Sequence, residues 1–126
     1  MPIEELEILK AACCVAGVDG GISDREMVLL RTLASSAAVG EASFGAMVDR
    51  ATTEPESYRE EFDLPLGDAD EAMKTLVDIA AAQGDPSERQ QDMLRYFAER
   101  VGVGRDRVEA LVTKRVADHG TAEQRR

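Results

Sequence analysis

The sequence predicts an all-α protein, and three observations carry that prediction. Apolar residues recur every three or four positions along most of the chain, as on one face of a helix. No stretch of useful length alternates with period two, so no sheet is expected. Residues 12–48 align without a gap onto 76–112 with eleven identities, so two related helical units are expected, disposed about a pseudo-twofold axis. The 126 residues make one domain of ordinary size. Such a chain buries roughly two thirds of its unfolded surface and needs no disulfide or metal staple.

The first helix is carried by Ile3, Leu6, Leu9, Cys13 and Ala16, with Ile8, Ala12 and Val15 widening the apolar face. It stops near Val18, where Gly20 suits the left-handed position that closes a helix. Ser23 and Glu26 have the spacing of a capping box, in which each side chain bonds the other residue's amide and starts the next helix. Met27, Leu30, Ala34 and Ala37 form its inner stripe, and Val39-Gly40 end it. A third, shorter helix carries Phe44, Met47 and Val48. Residues 52–67 are irregular and acidic; Tyr58 and Phe62, four apart, predict a short amphipathic helix there. Asp68 and Glu71 again have capping-box spacing and open a fifth helix bearing Ala72, Met73, Leu76, Ile79 and Ala80. Ser87 and Gln90 repeat the capping box before Met93, Leu94, Phe97 and Val101. After Gly102-Val103-Gly104 a last helix carries Val108, Leu111, Val112 and Val116, and the polar segment 119–126 is expected to fray.

Composition narrows function. A net charge of −10 repels phosphates, so neither nucleic acid nor an anionic lipid surface is an expected partner. No apolar run reaches the roughly 18 residues of a membrane span, and the acidic N-terminus is neither signal peptide nor anchor. Cys13 and Cys14 are helical neighbours about 100° apart, which do not bridge readily; as core thiols they fit a reducing cytoplasm. His119, the only histidine, stands near the polar end, away from any nucleophile. Arg31 and Arg95 occupy aligned positions and are expected to pair with nearby carboxylates.

Residues 16–26, Ala-Gly-Val-Asp-Gly-Gly-Ile-Ser-Asp-Arg-Glu between two apolar helices, resemble the signature of the tellurite-resistance TerB-like family. The second half is similar to that family's second segment, and the resemblance covers roughly 3–118. It implies a compact all-α bundle of about seven helices with clustered acidic residues that bind a divalent cation. It implies no catalysis. Members are associated with bacterial stress responses and with assemblies at the inner membrane, and a related domain precedes the J-domain of a membrane-anchored co-chaperone. This chain departs from the pattern in its second segment, where Gln83 and Gln90 stand in place of an Asp and a Glu, so a complete two-lobed metal site is not expected.

Two readings of the acidic turn stay open. Asp19 to Glu26 matches positions 5 to 12 of an EF-hand loop, but positions 1 and 3 would be Val15 and Gly17, which excludes a standard calcium loop. In the first reading the turn is purely structural, with Gly20 closing one helix and Ser23 and Glu26 capping the next. In the second, Asp19, Glu26 and Asp24, with the Gly21 carbonyl, hold calcium, magnesium or manganese. Asp19 favours the second. At a helix C-terminus its charge opposes the macrodipole by about 0.3–1 kcal/mol, and it needs turn amides, an arginine or a cation. The expected function is therefore a cytoplasmic, non-catalytic TerB-like module that binds a protein partner in a stress-response or envelope-linked assembly. The alternative is a dedicated divalent-metal-binding or sensing protein.

Overall fold

The computed structural model describes residues 3–64, 68–82 and 84–124, with side chains for 5–64, 68–82 and 84–118. Among these residues there are seven α-helices and no strand: α1 (Ile3–Gly17), α2 (Asp24–Ser36), α3 (Glu41–Thr53), α4 (Pro55–Tyr58), α5 (Ala69–Ala80), α6 (Glu88–Val101) and α7 (Arg105–Gln124). One 3₁₀ turn, Arg59–Glu61, follows α4. The segment expected to fray is helical in its backbone through Gln124; Gln83 lies outside the described residues.

The bundle is organised around α1. This helix touches α2, α3, α4, α5 and α6, and every residue from Ala11 to Val18 is buried. A helical stretch apolar all round belongs in the middle of a core, which explains why the apolar residues of the second half of α1 spread beyond a single stripe. Leu30, Met73, Leu76, Met93, Leu94 and Phe97 complete the core around it. At Gly17 the α1 backbone comes so close to α3 that an added Cβ would lie 2.9 Å from the Ala51 carbonyl oxygen. That contact carries α3 further than expected. The helix is as long as α2, because Ala51, in its polar last turn, packs on Gly17.

The segment before α5 also departs from the expected single amphipathic helix. It is one turn of α-helix followed by the 3₁₀ turn, and Phe62 sits beyond it in extended backbone. Both aromatics still reach the core; Tyr58 and Phe62 meet edge to face at 5.5 Å, and Phe62 stacks on Phe97 at 5.9 Å.

The two halves repeat local contacts at a constant offset of 64 residues. Ser23 and Ser87 are both N-caps with extended backbone and complete capping boxes. The Val39 amide bonds the Ala34 carbonyl at 2.9 Å, and Val103 bonds Ala98 at 2.9 Å. Leu30 and Leu94 are both fully buried. The turns after α2 and α6 also share a left-handed residue. In the second half it is Gly102, φ 77°; in the first it is Ala38, φ 58°, and α2 ends at Ser36, ahead of the expected Val39.

Candidate functional site

The turn between α1 and α2 and the turn between α5 and α6 meet. Within each capping box one polar atom of the third helical residue is committed locally: Glu26 Oε1 accepts from the Ser23 amide at 2.9 Å, and Gln90 Oε1 accepts from the Ser87 amide at 3.1 Å. Each side chain has one terminal atom left, and the two face each other. Gln90 Nε2 donates to Glu26 Oε2 at 2.8 Å. Both residues are buried, 7% and 8% exposed, and they are the only buried polar residues among those described. A buried carboxylate needs donors, and Glu26 has one on each oxygen.

Asp19 is partnered in the same way. The Ser87 hydroxyl donates to Asp19 Oδ2 at 2.7 Å, while Ser87 Oγ accepts from the Gln90 amide at 3.1 Å. The charge left at the end of α1 is thus met by a hydroxyl from the other half of the chain, a donor outside the three kinds considered from sequence. Gly20, φ 93°, turns the chain between Asp19 and the cap.

Of the three residues singled out as metal ligands, Asp19 and Glu26 each bond the second turn, and Asp24 stands exposed in the first turn of α2. No three His, Cys, Asp or Glu side chains among the described residues group as a metal site. Sequence reasoning placed Ser87 and Gln90 in a capping box but missed them as the partners of Asp19 and Glu26. The signal was present, since each stands 64 residues from its counterpart in a capping box of the same geometry.

Of the other residues singled out from sequence, the His119 side chain lies outside the described residues. Burial pushes both the Cys13 and Cys14 thiols up to about 12, and it raises the Tyr58 hydroxyl as well. Arg31 pairs with Glu41 at 2.9 Å and Arg95 with Asp92 at 2.8 Å, as expected of them. No helix among the described residues is long and apolar enough to cross a membrane. In comparisons with known proteins, no family model, no curated protein and no solved structure matches the chain.

Proposed function

We propose that this chain is a non-catalytic, TerB-like protein-interaction domain of a bacterial stress-response or envelope-linked assembly, and that its acidic turn is a clasp between the two halves. The clasp rests on the Gln90–Glu26 bond, and the assembly reading rests on the resemblance carried by residues 16–26. The amide occupies the carboxylate oxygen that an ion would need, and its own oxygen is fixed by the Ser87 amide, so it cannot simply turn over to offer a ligand. The thiols, raised by burial, have little thiolate to offer as nucleophiles.

Two measurements on the full chain test this. Thermal unfolding with calcium, magnesium or manganese should match unfolding in chelator. An ion with a dissociation constant one hundredth of its free concentration would stabilise the fold by about 2.7 kcal/mol. Such a shift, abolished by Asp19→Asn, would overturn the clasp reading and favour the metal-sensing alternative. Co-purification of the tagged chain, with and without oxyanion stress, should yield a protein partner in fixed ratio. A chain that elutes alone in both conditions refutes the interaction reading.

A further inference from the structure

α3 and α7 occupy aligned places in the two repeats, yet the seams that hold them differ in kind. At the seam between α1 and α3, Cys14 and Ala51 are fully buried, and the Ala51 backbone closes on Gly17. The α4 turn that follows packs on both helices and holds α3 at its far end. At the positions 64 residues on stand Asp78, Arg115 and Ala81. The apolar seam has become an ionic one. Arg115 Nε lies 3.2 Å from Asp78 Oδ1, and both side chains are partly exposed. Beside them, between α5 and α7, a cavity of about 440 Å³ opens, with Val77 and Leu111 in its wall. Arg107 donates twice to Asp70, at 2.8 and 2.9 Å, again in a partly exposed setting. Exposed ion pairs of this kind contribute little to stability. Of the described α7 side chains, only Val108 and Leu111 are buried.

We propose that α7 is a strap, which opens as a unit about the Gly102-Val103-Gly104 turn while α1 to α6 stay packed. Parts of a protein that open below the global transition are those held by few buried apolar contacts, and α7 is held in that way. The core around α1 is built by α2 to α6, so it stays enclosed when α7 leaves. The joint suits the movement. Gly102 holds a left-handed φ of 77°, and glycine passes between backbone regions without the penalty a side chain brings. Closed, α7 covers Val77 on α5 and Leu94 on α6, which are 1% and 0% exposed. Open, it lays both bare. The strap therefore controls access to an apolar strip on α5 and α6. Salt screens the Arg107–Asp70 and Arg115–Asp78 pairs, so opening increases with ionic strength.

Thiol accessibility in the full chain tests this. Val77→Cys places a third thiol beneath α7, at the position aligned with Cys13. Cys13 and Cys14 lie in α1 and report global unfolding in the same molecule. With a disulfide reagent at neutral pH, the new thiol should react at least about 100-fold faster than the native pair, as sub-global opening requires. Asp78→Leu with Arg115→Leu replaces the ionic pair by an apolar one and should slow that reaction by about tenfold. Hydrogen exchange of the unsubstituted chain supplies a second reading that no substitution can disturb. The amides of 105–118 should exchange together, faster than those of α3, and faster still in high salt. Equal rates at all three thiols overturn the proposal, as do α7 amides that exchange only with those of α1. So does a fast new thiol whose rate the leucine pair leaves unchanged, since access would then come from local motion at Val77 and not from α7.

Discussion

Exchanging Glu26 and Gln90 should leave the protein nearly as stable as it began, although either substitution alone should damage it. Each capping box uses one terminal oxygen of its third helical residue, so the two atoms left facing each other must be one donor and one acceptor. Glu26→Gln sets an amide donor against an amide donor, losing a bond to a charged group and leaving buried donors unpaired. The cost is about 2–3 kcal/mol, or roughly 8–12 °C in Tm for a chain of this length. Gln90→Glu sets two carboxylates against each other at the separation now held by a 2.8 Å bond. With an effective dielectric constant near 20 the repulsion alone is about 6 kcal/mol, and a shared proton relieves it. The folded variant therefore binds a proton more tightly than the unfolded chain, so its deficit should shrink as pH falls and grow as pH rises. A divalent cation should relieve it too. The double substitution restores one donor and one acceptor in reversed order, at unchanged net charge. Urea or thermal unfolding of the four proteins forms a double-mutant cycle, and its coupling should be at least about 3 kcal/mol in favour of the exchanged pair. A double variant as unstable as the sum of its parts would refute the clasp.

Three further outcomes are expected. Ala38→Gly should stabilise the protein by about 0.5–1 kcal/mol in chemical unfolding, because the exposed alanine holds a left-handed backbone that costs an L-residue about 1–2 kcal/mol and glycine less. Gly17→Ala should destabilise it by about 1–3 kcal/mol, since the new methyl meets the α3 backbone and the helices must part; an unchanged Tm would mean they are not in contact there. Cys13 and Cys14 should resist a thiol reagent in the native protein at neutral pH and react only on unfolding. With thiols ordinarily at 9.0 and here near 12, their contribution to stability should be full below pH 9 and fall as pH rises toward 12.

Features that depend on residues three or four apart were legible in the sequence. The two serine capping boxes, the turn at Gly20 and the inner faces of α5 and α6 follow from local spacing, and the structure has them in place; at Asp68 only the bond from the Glu71 amide forms, without the reciprocal one of a full box. Features that depend on which segments meet were not. The apolar pattern of α1 gave a face, but the burial of its residues 11–17 on every side comes from the five helices around it. Alanine carries no signal for a left-handed backbone, so the end of α2 was placed too late; the aligned Gly102 was the available clue. Asp19 was correctly marked as a charge in need of a partner. The partner, Ser87, lies 68 residues away and meets Asp19 only because the two turns touch.

The contact between Glu26 and Gln90 joins one repeat position to its own counterpart, the arrangement found at the axis of a symmetric dimer, where each residue must face a copy of itself. Identical partners cannot satisfy this contact. Two glutamates would need a proton or an ion held between them, and two glutamines would leave donors opposed. A pair of separate, identical chains meeting here is bound to one of those compromises. Once both copies lie on one chain, each can change alone, and a single exchange of carboxylate for amide lets the two positions bond directly.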